Sequence, residues 1–362
     1  MVKALYIHIP FCNTICNYCD FSKFYKITRW INKYLIQLEK EITERYNGEI
    51  IETIYIGGGT PSCLNLKQLE KLFEIIKLIK KSKNLEFTFE CNIENINYEK
   101  LKFLYENGVN RLSFGVQTFN RDLLKYLNRN HSNKEALEKI QIAKKIGFKN
   151  INIDLIYAIP GETLKDLEND LDEFLDLDIN HISTYSLIIE PHTVLYINKE
   201  VNIDEELDYE MYKLICNKLK NNGFIHYEIS NFSKPSYESK HNLTYWNNDE
   251  YYGFGIGASG YIDSIRYTNT KSFNKYLSGN YIYEQNKLNI SEKLENEFIL
   301  GLRKIKGIDK KIFSLKYDKD VKEIGAVNKL LGSGKLLEST KSIYINPKYI
   351  YVSNDILTEF LN

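Results

Sequence analysis

Short apolar runs alternate with longer amphipathic stretches along most of the chain. The run at residues 4–9 predicts a strand, and the spacing of Tyr34, Leu35, Leu38 and Ile42 behind it predicts a helix. The alternation then returns, with strands predicted over 53–56, 85–90, 111–115, 150–155 and 181–187 and helices over 66–80, 98–107, 133–146 and 163–176. Three helical stretches close on Asn107-Gly108, Ile146-Gly147 and Asn222-Gly223 and run straight into strand-like sequence. Glycine there takes the left-handed conformation that ends a helix. Repeated strand–helix units cross over right-handed and build a parallel sheet. Polar residues cluster after successive strands, as on the C-terminal rim of a barrel. That favours an α/β fold with a partial, six-unit (βα)6 TIM-like barrel over a doubly wound sheet.

From about residue 291 the texture changes to helices over 294–303, 310–315 and 321–331, a hairpin within 339–354 and a last helix over 355–361. This predicts a small C-terminal helical, winged-helix-like domain, a shape that gives no warrant for DNA binding by itself. The chain thus divides into a barrel that carries the site (1–235), a connecting region (236–290) and the C-terminal domain (291–362).

The 362 residues carry 48 Lys plus Arg against 48 Asp plus Glu, so no global field draws nucleic acid or an anionic membrane. No apolar stretch reaches the roughly 18 residues of a spanning helix. His8 and Pro10 interrupt the N-terminal run before a secretory signal can form. These features predict a cytoplasmic protein, where clustered cysteines are more often metal ligands than disulfides.

Three of the six cysteines form such a cluster. Cys12, Cys16 and Cys19 follow the first strand with C-x₃-C-x₂-C spacing. Three thiolates on one tight loop can bind three irons of a [4Fe–4S] cubane and leave the fourth open. S-adenosylmethionine (SAM) can chelate that iron through its amino and carboxylate groups, and the reduced cluster can then cleave a sulfonium bond. A zinc site is the competing reading, but it wants a fourth ligand that the loop lacks. Cys63, Cys91 and Cys216 stand alone and read as core packing. His8 is expected to point into the barrel beside the cluster loop, and His131 to be a loop residue.

The segment LYIHIPFCNTICNYCDF resembles the opening of the radical SAM proteins related to oxygen-independent coproporphyrinogen III oxidase, and the resemblance spans nearly the whole chain. It implies a SAM site on residues that match the family position by position. Gly58, Gly59 and Thr60 in the GGGTP element are among them, with Glu90, Gln117, Arg129 and Asp154 at or after strand ends and Tyr6 and Tyr18 as aromatic neighbours. Read without the family, these are glycine turns, caps, rim ion pairs and packing tyrosines. Thr163, after Pro160-Gly161-Glu162, reads as a helix cap.

Two features point to one branch. The oxidases resemble C-x₃-C-x₂-C-x-C, whereas Phe21 stands at the last position here, and the N-terminal extension they carry is missing. His241-Asn242-Leu243-Thr244-Tyr245-Trp246 is similar to the H-N-x-x-Y-W signature of the HemW-type haem chaperones, as is the glycine run from Gly253 to Gly260. That resemblance implies haem as a bound ligand, with His241, Tyr245 and Trp246 as haem contacts, since an imidazole beside aromatic rings can ligate iron and stack on a porphyrin. Core packing of the same residues is the equal alternative. The implied partners are haem, haem-acceptor proteins such as respiratory haemoproteins, an electron donor for the cluster and a second copy of the chain. Porphyrinogen oxidase or haem-modifying chemistry is the alternative function.

Overall fold

The computed structural model describes residues 2–361. Six parallel strands form the heart of the chain: β1 (Ala4–Ile9), β2 (Ile51–Gly58), β3 (Lys81–Asn92), β4 (Arg111–Gln117), β5 (Asn150–Tyr157) and β6 (His181–Ser186). Each is followed by a helix: α1 (Thr28–Arg45), α2 (Leu66–Ile76), α3 (Tyr98–Glu106), α4 (Asn133–Ile146), α5 (Leu164–Asp176) and α6 (Glu205–Asn221). The predicted six-unit partial barrel is present, and its strands carry Leu5, Ile7, Ile9, Ile54, Ile56 and Phe89 outward into the helix layer. Gly108, Gly147 and Gly223 take φ of +88°, +125° and +78°, as the helix-end reading required. Thr163 caps α5 and shares a capping box with Asp166.

The strand order shows where the barrel stays open. After α6 come β7 (Ile225–Glu228), β8 (Asn231–Ser233), helix α7 (Lys240–Trp246), β9 (Tyr251–Phe254), β10 (Ser259–Ile262), β11 (Ile265–Asn269) and β12 (Ile282–Lys287). The sheet runs β12-β11-β10-β9-β1-β2-β3-β4-β5-β6-β8-β7, so β7 and β12 are its outermost strands, and the outer side of β7 is bridged by residues 303–305, with Ile305 N donating to Tyr227 O at 3.1 Å. Residues 236–290 therefore supply much of one wall rather than a simple connection. β9 pairs with β1 in parallel, with Tyr6 opposite Gly253, and Tyr252, Phe254 and Tyr276 join the same core as β1 and α1. Glycine interruptions hid these short strands. They are needed for close approach: a Cβ on Gly253 would lie 1.9 Å from Ser259 O.

The C-terminal part has its own core around Phe298, Phe313, Leu330 and Ile343. Helix α8 (Ile290–Gly301), β13 (Ile308–Asp309), α9 (Lys310–Tyr317), α10 (Gly325–Gly332), β14 (Leu336–Glu338) and β15 (Ser342–Ile345) follow in winged-helix order, with the antiparallel sheet β13-β15-β14. The hairpin lies earlier than its predicted range of 339–354. Pro347 opens a 3-10 turn, because its fixed φ and missing N–H cannot continue the ladder.

Glu41 ties α1 to the added wall. Its fully buried carboxylate accepts from Arg45 (2.6 Å), Tyr276 (2.6 Å), Asn269 (2.7 Å) and Gly255 N (2.8 Å). Burial pushes its pKa up, and Arg45 and these donors oppose the shift. Removing one partner from such a network strands the others in low dielectric, so Glu41→Ala is expected to cost about 3–5 kcal/mol in denaturant unfolding. A loss below about 1 kcal/mol would show that the network is not needed.

Candidate cluster and cofactor site

The cysteine loop leaves β1 at Pro10 and is pinned from both sides. Phe24 N donates to Pro10 O (2.7 Å) and Lys26 N to Cys12 O (2.8 Å), while Cys19 N closes a turn on Cys16 O (3.3 Å). Asn17 donates to Tyr126 O (2.7 Å) and Asn128 to Ile15 O (2.7 Å), which fastens the loop to the connection after β4. All three thiols line one cavity of about 330 Å³ at the C-terminal end of the barrel. Burial is the main cause that pushes the Cys12 thiol up to about 12 and raises Cys19. Binding iron therefore has to displace protons from these thiols.

Among the described residues, no group of three His, Cys, Asp or Glu side chains converges on one metal ion. A cubane takes each thiolate at a different iron, which suits thiols spread around one cavity. The backbone leaves room for it: a Cβ on Gly59 would sit 2.9 Å from Cys12 Sγ and 3.0 Å from Phe11 N. Thr60 Oγ1 donates to Cys12 Sγ at 3.4 Å and accepts from Asn92 Nδ2 at 3.2 Å.

The facing wall is polar. Glu90 accepts from Tyr55 Oη (2.8 Å) and Gly58 N (3.0 Å), and burial raises its pKa to about 7 against those donors. Asp154 accepts from Ser113 Oγ (3.1 Å) and Asn152 Nδ2 (2.9 Å); burial raises its pKa as well. Gln117, in the left-handed region with φ +73°, turns its Oε1 to accept from Tyr18 Oη (2.6 Å) and Arg129 (3.0 Å). Such strain at a strand end is the kind that functional sites retain. Arg129 also donates to Gly115 O (2.7 Å) and pairs with Glu94 (3.1 Å). Burial favours the protonated form of Glu94, but the His131 hydrogen bond and the Arg129 charge win and hold its carboxyl well below the usual range.

Tyr18, Gly58, Gly59, Thr60, Glu90, Gln117, Arg129 and Asp154 thus share the cavity with the three cysteines. Tyr6 does not. Its hydroxyl bonds His8 Nδ1 (2.9 Å), one layer down in the lumen, while His8 Nε2 donates to Ser22 O (2.9 Å) and so supports the cluster loop. His131 is a loop residue, but a buried one that holds Glu94. Sequence reading missed Tyr55, Asn92, Ser113 and Tyr185 on the cavity wall. Tyr55 and Ser113 could have been found from the alternation of each strand, two positions before Gly57 and Gly115 respectively.

His241, Tyr245 and Trp246 lie at the other end of the barrel. His241 is 1% exposed, with Nδ1 on Thr53 Oγ1 (2.9 Å) and Nε2 on Tyr245 Oη (2.8 Å), and its ring packs on Tyr55 with centroids 5.1 Å apart. Both ring nitrogens are committed, so here the imidazole plugs the lumen and presents no free ligand. A haem contact at His241 would have to displace one of these hydrogen bonds.

Residues 6–174 match the family model described as the Radical SAM superfamily. A Bacillus subtilis protein named "Heme chaperone HemW" is 41% identical over 99% of this chain and 99% of its own length. The chain belongs to the HemW family. A Lactococcus lactis member is 39% identical over 99% of this chain and 97% of its own. Coproporphyrinogen III oxidase from Escherichia coli superposes with a TM-score of 0.87 over 99% of this chain and 90% of that one, at 22% identity, which shows a shared fold. Membership in the radical SAM superfamily brings a SAM-bound [4Fe–4S] cluster, and the thiols, the glycine approach and the polar wall fit one.

Gly59→Ala should therefore leave the protein folded but exclude the cluster. Reconstituted protein is expected to lose most of its bound iron and visible iron–sulfur absorbance with an unchanged far-UV circular dichroism spectrum; full iron content would contradict the close approach.

Proposed function

We propose that the protein is a haem chaperone of the HemW type, which binds haem, carries a SAM-liganded [4Fe–4S] cluster and passes haem to acceptor proteins. The observation that carries this reading is the similarity to proteins named haem chaperones along essentially the full length of both chains. Phe21 supports it: where the oxidases carry a further cysteine, this chain has a side chain 63% exposed at the cavity mouth.

Cys12, Cys16 and Cys19 hold the cluster in this reading. Bound there, SAM and the reduced cluster supply one-electron chemistry. The carboxylates of Glu90 and Asp154 accept from SAM's ammonium and hydroxyl groups, and Arg129 matches a carboxylate. Gly58 and Gly59 let SAM approach the backbone. We place the protein in the cytoplasm, with respiratory haemoproteins as acceptors, an electron donor for the cluster and self-association as further partners. All six cysteines are unpaired, as that compartment requires. No described helix is long and apolar enough to cross a membrane.

The oxidase fold supports a second reading, oxidative decarboxylation of coproporphyrinogen III. Anaerobically reconstituted protein is expected to bind haem and transfer it to an apo-haemoprotein, and to leave coproporphyrinogen III unchanged in the presence of SAM and reductant. Conversion to protoporphyrinogen IX would overturn the chaperone reading.

A further inference from the structure

With His241 committed to the barrel plug, haem needs another place. The 330 Å³ cavity is the one SAM would occupy. A larger cavity of about 910 Å³ lies near α7, but lysines, acids and asparagines dominate its lining and offer little apolar face for a macrocycle. A third, of about 610 Å³, opens where strand β7 and helix α6 meet the C-terminal domain. Its volume suits a cofactor-sized ligand.

The chemistry of this crevice differs from the others. Tyr209, Tyr212 and Cys216 lie on one face of α6, three and four residues apart, beside the adjacent face on which Met211, Ile215 and Leu219 fill the barrel core. Tyr351 from the C-terminal domain packs against Tyr209 (5.0 Å between centroids) and Tyr212 (5.3 Å), so the aromatic wall spans both parts. Cys216 packs against the barrel core, as expected, and also lines this crevice.

On β7, His226 lines the same space with its ring stacked on Phe232 at 4.2 Å. Its Nε2 faces Ile229 O at 3.1 Å and donates there, the Glu228 backbone also acts on the ring, and this tautomer carries its lone pair on Nδ1. Burial lowers its pKa to about 4, so the imidazole is neutral at pH 7. At the rim, exposed Lys220 and Lys348 have no ion pair through Nζ among the described residues. An apolar wall, a neutral imidazole and two uncommitted cations together match a planar iron macrocycle with two carboxylate arms.

We propose that this crevice is the haem site, with His226 Nδ1 as an iron ligand, the three tyrosines against the macrocycle and Lys220 and Lys348 pairing with its propionates. The proposal rests on the haem-chaperone reading. Haemin titration of the full-length protein, followed at the Soret band, tests both separately. Wild type is expected to bind haemin, and the surface double variant Lys220→Glu/Lys348→Glu to bind at least about tenfold more weakly, as loss of roughly 1.4 kcal/mol implies. His226→Ala is expected to shift the Soret band, with the wild-type spectrum restored by added imidazole, while Lys240→Glu, near the barrel plug, binds as wild type does. If wild type binds no haemin, the chaperone reading fails and this proposal with it. If wild type binds and both crevice variants keep its affinity and spectrum, the site is overturned while the chaperone reading stands.

Discussion

Burial sets the charge states inside the barrel, and one buried cation modulates them. Arg111 is 2% exposed on β4, and its charge reaches both ends of the lumen. Toward the cluster end it favours the ionised forms of Glu90 and Asp154, against the burial that raises both. Toward the other end it reinforces the burial that keeps His181 and His241 neutral, with His241 lowered to about 3. The result is a lumen with carboxylates below the thiols and neutral imidazoles at the opposite end.

That division fixes what each end can do. The carboxylate end faces the glycine approach and the cysteine loop, so it suits a ligand that carries an ammonium group and hydroxyls. The imidazole end is closed by α7, whose His241 backbone N–H donates to Glu86 (3.0 Å) while its ring bonds Thr53 and Tyr245. The signature motif thus seals the barrel, and the most apolar free crevice lies outside it, between α6, β7 and the C-terminal domain. With haem in the proposed crevice, cluster chemistry and haem handling are separated in space. This suits a carrier, in which haem is held without being presented to the radical-forming site.

Much of this was legible in the sequence because its signals are local. Cys12, Cys16 and Cys19 fall on one loop whatever the fold, and Glu90, Gln117 and Asp154 sit at strand ends that hydrophobic periodicity locates. The remainder depends on long-range pairing. Strands β9 to β12 are short, and Gly253 and Gly260 interrupt the first two, so no run of apolar residues announces that β9 closes onto β1. A motif such as H-N-x-x-Y-W gives side-chain types but not the end of the barrel they occupy. The strand alternation puts Tyr6 in the lumen, and its position on β1, two residues before His8, sets it one layer below the cavity. Tyr209, Tyr212 and Cys216 read as ordinary helix positions until Tyr351 arrives from a distant segment.

The account stands on three thiols holding a cluster whose fourth iron is left for SAM. Electron paramagnetic resonance of the reconstituted, reduced protein with and without SAM tests this most directly. The account predicts a [4Fe–4S]⁺ signal whose g-values shift when SAM is added. A signal indifferent to SAM would contradict it.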